Sequence, residues 1–161
     1  GGPREILVEG LEVFVHQAIV VEHHRKAGQL PLGGQPAVDQ QVDRLAKGGV
    51  PRQLLDHPQA QVSQVSSESN LGKYVYHVHP NLRGRSRLKF CQAAAIESCD
   101  VLFVALPHGQ TQTQIGKWSA LAPKVIDLSS DFRLRDPACY AQWYGHEHEA
   151  PGWIDRFVYG L

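Results

Sequence analysis

The chain has 161 residues, 42% of them hydrophobic and 20% charged, which fits one globular domain or part of a larger enzyme and excludes a disordered polymer. Sixteen lysines and arginines balance sixteen aspartates and glutamates, so no net field draws the chain to nucleic acid or to an anionic membrane. No apolar run reaches the roughly 18–20 residues of a membrane span.

The opening Gly1–Glu5 is not a secretory leader, and Cys91, Cys99 and Cys139 are odd in number with no CxxC spacing. A reduced, cytoplasmic setting is the expectation. The lack of any methionine and the largely apolar stretch Arg156–Leu161 read as cut ends.

In chain order, residues 1–47 form an atypical N-terminal segment with no assignable role. Its β-branched clusters Ile6–Val8, Val13–Val15 and Ile19–Val21 suit short strands. Val38, Val42 and Leu45 recur at helical spacing and predict a short helix ended by Gly48–Gly49. Residues 48–161 differ in character. A helix from Pro51 closes before Pro58, Gln61–Val65 predicts a strand, and Ser66–Ser69 a polar turn. Tyr74–Tyr76 is a weaker strand candidate.

The continuous apolar run Val101–Leu106 predicts a strand buried on both faces. It breaks at Pro107–Gly109, a helix is expected over Thr111–Ala120, and Val125–Leu128 predicts the next strand. Strand, helix and strand joined by short links make a βαβ unit. The expected fold class is α/β, a partial Rossmann-like, doubly wound parallel sheet.

Two segments fall where such a sheet binds ligands, at the carboxyl ends of its strands. At Pro107–His108–Gly109 a glycine allows close approach of a dinucleotide, and the following helix would offer its unpaired N–H groups to phosphate. The same residues also suit an ordinary strand-to-helix turn. The second segment, Asp127–Arg133, holds two carboxylates, two hydroxyls and an arginine suited to an anionic substrate. Alternatively, Asp131 pairs with Arg133 or Arg135 and the serines cap the chain. The pairs His77/His79 and His146/His148 supply two ligands each, short of the three or four a zinc site needs, so no metal is expected.

These segments occur with others in a fixed order: His57–Pro58, Ser66–Ser67, His79–Gly84, Ala105–Gly109, Asp127–Arg133, Trp143–Gly145 and Val158–Leu161. The set resembles the cofactor-binding half of N-acetyl-gamma-glutamyl-phosphate reductases over about 114 of the 161 residues. The resemblance implies NADP-dependent reduction of an acyl phosphate to an aldehyde in arginine biosynthesis, through a cysteine thioester and an assisting histidine. A related alternative is the carrier-protein-linked aminoadipyl-phosphate reductase of lysine biosynthesis. A different class is a non-catalytic nucleotide-binding module.

By that resemblance Ser67 lies near the adenosine ribose and its 2′-phosphate, and Pro107, His108 and Gly109 line the cofactor crevice. Ser129, Asp131 and Arg133 lie near the reacting centre. The partner is a small-molecule substrate, and full-length members are expected to be homo-oligomers.

The sequence departs from the family pattern in three places. Of a glycine-rich turn resembling Gly-Ala-Ser-Gly-Tyr-Thr-Gly-Gly only Gly48–Gly49 remains, so residues 1–47 read as misframed or joined from elsewhere. Glu68 follows the serine pair where many members carry an arginine for the 2′-phosphate. The family's Gly-Cys nucleophile segment and catalytic histidine are absent, and the three cysteines present read as incidental thiols, so no catalytic residue is assigned and the chain is expected to be inactive alone.

The lost turn raises a physical problem, because in the order 3-2-1-4 the first strand is central. Val13–Val15 or Ile19–Val21 must fill that slot, across a connection of roughly 30 residues that is long for a βα link. A marginally stable protein with weak NADPH binding and mobile residues 22–37 is the expectation.

Overall fold

The computed structural model describes residues 15–22 and 50–160, and its framework is a parallel sheet. The described strands are β1 (Val15–Glu22), β2 (Ala60–Ser66), β3 (Phe90–Cys91), β4 (Val101–Ala105) and β5 (Lys124–Asp127). They lie in the order β3-β2-β1-β4-β5, every neighbouring pair parallel. This is the order of five of the six strands of the dinucleotide-binding arrangement 3-2-1-4-5-6.

The central slot is filled. Ile19, Val20 and Val21 of β1 pair with Gln64, Val65 and Ser66 on one side and with Leu102, Phe103 and Val104 on the other. Ile19–Val21, one of the two upstream candidates, thus supplies the strand that would otherwise leave two buried edges unpaired. The boundary at Gly48 is a change of sequence character that the sheet crosses. The expected helix over Val38–Leu45, the cluster Ile6–Val8 and nearly all of residues 22–37 lie outside the described residues.

Among the described residues four α-helical segments accompany the sheet: α1 (Val50–Asp56), the single turn α2 (Val75–Val78), α3 (Gln110–Leu121) and α4 (Pro137–Tyr144). Alternation along β4 shows how they divide. Leu102 and Val104 join Ile115 and Trp118 of α3 in one core, while Phe103 borders a second core of Val50, Val62, Val65, Val75, Leu82 and Phe90. Successive strand residues point to opposite faces, so the two cores lie on opposite sides of the sheet, as double winding requires. In α3 the buried Thr111, Ile115 and Trp118 are spaced by four and three residues, the period of a single helical face.

One expectation needs correction. Tyr74–Tyr76 is not a strand: Tyr74 makes one antiparallel bridge to Lys89, and Val75 then begins the turn α2. Tyr74 and Tyr76 stack on each other with ring centroids 5.0 Å apart, an arrangement available when the backbone turns between them. The strand actually used there, β3, is two residues long, too short for alternation to reveal it.

Candidate cofactor-binding site

The five described strands point their carboxyl ends to one edge, from which the loops after β2, β4 and β5 leave. β4 gives way to Pro107 and His108, and Gly109 caps α3 at φ +81°, a left-handed conformation that disfavours a side chain. A Cβ at Gly109 would also lie 3.4 Å from the His146 ring.

β5 gives way to a chain of short polar contacts. The Ser129 backbone N–H donates to Asp127 Oδ1 at 3.0 Å and its hydroxyl to Asp127 Oδ2 at 2.7 Å. The Asp131 N–H donates to Ser129 Oγ at 3.1 Å. Asp131, fully buried, then turns its carboxylate onto the start of α3, where it accepts from Gly109 N at 2.6 Å and Gln112 N at 3.0 Å. The Tyr140 hydroxyl donates to the same carboxylate at 3.3 Å.

Two N–H groups at this helix start are therefore taken by the protein's own anion, and Gln110 N donates to the Pro107 carbonyl at 3.2 Å. Asp131 forms neither ion pair expected for it; Arg133 instead lies over the Tyr159 ring at 5.6 Å. The serine-capping alternative holds at Ser129.

Around this carboxylate lies a buried network that the sequence did not reveal. Gln112 Nε2 donates to the Tyr140 hydroxyl at 3.2 Å, and Gln112 Oε1 accepts from Glu149 N at 2.9 Å. His148 receives the Ala150 N–H on Nδ1 at 3.1 Å, which leaves Nε2 to donate to the Asp131 carbonyl at 2.8 Å. His146 stacks on His108 with centroids 6.0 Å apart, and Tyr144 lies 5.5 Å from His108. Part of this was readable. Asp136 caps α4 by accepting from Ala138 N at 2.8 Å, Pro137 follows at its first position, and Gly145 closes it at φ +75°, a start-and-stop pattern present in the sequence.

Burial sets the electrostatics. Desolvation raises the Asp127 carboxyl to about 6 against the opposing Ser129 hydrogen bonds, and the nearby Asp131 charge adds to the rise. Burial, then the charge and hydrogen bond of Asp131, pushes the Tyr140 hydroxyl well above its ordinary value.

Neither Cys91 nor Cys139 is activated. Burial pushes Cys91 up, the hydrogen bond and charge of Asp136 push Cys139 up, and buried Cys99 donates to the Val101 carbonyl at 3.4 Å. A nucleophilic cysteine needs the opposite shift.

At the end of β2, Ser66 and Ser67 are buried. Asn70 Nδ2 donates to Ser67 Oγ at 3.4 Å, and Lys73 Nζ to Asn70 Oδ1 at 3.2 Å. Glu68 turns aside and accepts the Ala93 N–H at 3.1 Å. The donor set suits a ligand with phosphate and ribose oxygens. Ser66 Oγ, Ser130 Oγ and Arg133 Nε are buried polar atoms with no hydrogen-bond partner among the described residues.

The comparisons with known proteins agree with this fold. Residues 49–161 match the family described as semialdehyde dehydrogenase, NAD binding domain. The chain belongs to this family. A Thermomicrobium roseum protein provisionally named LysW-L-2-aminoadipate 6-phosphate reductase is 53% identical over 114 residues, covering 71% of this chain and 32% of the relative. The LysW-L-2-aminoadipate 6-phosphate reductase of Deinococcus radiodurans is 44% identical over 71% of this chain and 33% of its own length. The N-acetyl-gamma-glutamyl-phosphate reductase of Pseudomonas putida is 46% identical over 68% and 33%. The chain thus spans about a third of these relatives. Within this semialdehyde dehydrogenase domain, no helix among the described residues is long and apolar enough to cross a membrane.

Proposed function

We propose that the chain is the dinucleotide-binding part of an NADP-dependent acyl-phosphate reductase of amino-acid biosynthesis. Its substrate class is the ω-acyl phosphate of a blocked amino dicarboxylate, which covers both N-acetyl-gamma-glutamyl phosphate and LysW-bound aminoadipyl phosphate. The observation that carries this reading is a parallel sheet ordered β3-β2-β1-β4-β5 whose β2, β4 and β5 loops leave from one edge.

In this reading the β4 turn of Pro107, His108 and Gly109 lines the nicotinamide side, and Ser67 supports the ribose end. Ser129 and Asp131 shape the wall between cofactor and acyl group. Arg133, its Nε buried and without a described partner, faces the substrate's anionic group. The bound cofactor would supply hydride; the chain's own residues orient it and exclude water.

A second reading, a nucleotide-binding module without turnover, is favoured by the cysteine environments for this chain taken by itself. The raised Cys91 and Cys139 thiols argue against an attacking thiolate at either position. Fluorescence titration with NADPH, paired with an assay of phosphate-dependent oxidation of N-acetylglutamate semialdehyde, tests both. Saturable binding weaker than micromolar with no turnover is expected. Absence of binding overturns the cofactor reading, and turnover overturns the inactivity.

A further inference from the structure

NAD and NADP differ by one phosphate on the adenosine ribose, and the carboxyl end of the second strand is where such folds read it. An acidic side chain there binds the free 2′-hydroxyl, whereas a cation accommodates the 2′-phosphate. Here the sequence gives conflicting signs: Glu68 follows Ser66–Ser67, and Lys73 stands five residues further on.

The structure separates them. Glu68 is drawn toward the segment after β3, its Oε1 accepting the Ala93 N–H at 3.1 Å. Lys73 instead donates to Asn70 Oδ1 at 3.2 Å, and Asn70 Nδ2 donates to Ser67 Oγ at 3.4 Å. The lysine backbone is fixed as well: its N–H donates to the Asn70 carbonyl at 3.0 Å, and its carbonyl accepts from Phe90 N at 2.9 Å. A single acceptor occupies Nζ among its described hydrogen bonds, and an ammonium has three donors.

Three neighbouring cations are engaged elsewhere. Arg85 pairs with Asp56, Lys89 lies over the Tyr74 ring at 4.8 Å, and Lys117 donates to the Ala93 carbonyl at 3.3 Å. Arg83 and Arg87 line a groove with Tyr74 and Tyr76.

We infer that Lys73, held by Asn70 beside Ser67, is the residue that recognises the 2′-phosphate and sets a preference for NADP over NAD. This rests on the cofactor-binding reading above and deepens it. The ammonium forms a charge-assisted hydrogen bond to the phosphate, and Ser69, partly buried with its hydroxyl 3.4 Å from Ser67 Oγ, stands in the same turn.

The test uses the full chain and compares 2′,5′-ADP with 5′-AMP by titration calorimetry, alongside NADPH and NADH. Wild type should bind 2′,5′-ADP at least about tenfold tighter than AMP, the size of one charge-assisted contact. Lys73→Gln should erase that ratio without weakening AMP or NADH, and Lys73→Arg should keep most of it. Glu68→Gln should leave the ratio within about twofold.

Equal affinity for the two mononucleotides in wild type overturns the inference, as does a Lys73→Gln variant that loses both ligands in parallel. NADPH failing to bind while the mononucleotide ratio persists would overturn the dinucleotide reading and leave phosphate recognition by Lys73 standing. A Glu68→Gln variant that selectively loses NADH would make Glu68 the determinant and overturn the assignment to Lys73.

Discussion

Asp131→Asn asks how much of the fold depends on one buried carboxylate. Its oxygens accept three donors, the Gly109 and Gln112 N–H groups and the Tyr140 hydroxyl. Asparagine keeps one acceptor oxygen and places an NH₂ against an N–H of α3, leaving a buried donor unpaired at a cost of about 1–3 kcal/mol. Losing the negative charge at the helix start costs about another 0.3–1 kcal/mol, rising to about 2 in a partly buried setting.

A loss of about 2–4 kcal/mol is expected, against a typical domain stability of about 5–15. Urea unfolding can be followed through buried Trp118, with an unchanged m-value showing that the unfolded state is not the cause. Tyr140→Phe, which removes only the 3.3 Å contact, should cost about 1 kcal/mol. A loss below about 1 kcal/mol for Asp131→Asn would refute the capping role and return Asp131 to a purely ligand-facing one.

Gly109→Ala should destabilise by about 1–2 kcal/mol, because φ is +81° there; unchanged stability in the same urea assay would contradict that backbone. Asp127, raised to about 6 from 3.8, holds its proton more tightly folded than unfolded. Its contribution is therefore full below about pH 4 and lost as pH rises through 6, by up to about 3 kcal/mol. Asp127→Asn should accordingly gain stability relative to wild type from pH 4 to 7, and a pH-independent difference would contradict the shift. Cys91 and Cys139 should react with iodoacetamide at pH 7 more slowly than free cysteine, as measured by mass spectrometry, since both thiols are pushed up.

The parts of the fold legible in the sequence are those where one segment decides its own fate. Val101–Ala105 is apolar at every position because both faces are covered, and the break at Pro107–Gly109 follows at once. Ile19–Val21 read as a strand for the same reason, its β-branched side chains, although nothing in its surroundings suggested a central place.

What stayed hidden depends on partners far away in the chain. Phe90–Cys91 is a strand only because Val65 and Ser66 lie beside it. Asp131 and Gly109 are 22 residues apart, and no local spacing says that the carboxylate closes on that helix rather than on Arg133 two positions away. Gln112, Tyr140 and His148 read as ordinary helix and loop residues until the two loops meet.

The central claim is that this edge of the sheet receives a dinucleotide. Amide resonances of the isotope-labelled chain, recorded during an NADPH titration, test it most directly. The account predicts saturable shifts concentrated at Ser67–Lys73, His108–Gln112 and Ser129–Arg133, with Val50–Asp56 of α1 little affected. Shifts centred on α1, or none at saturating NADPH, would contradict it.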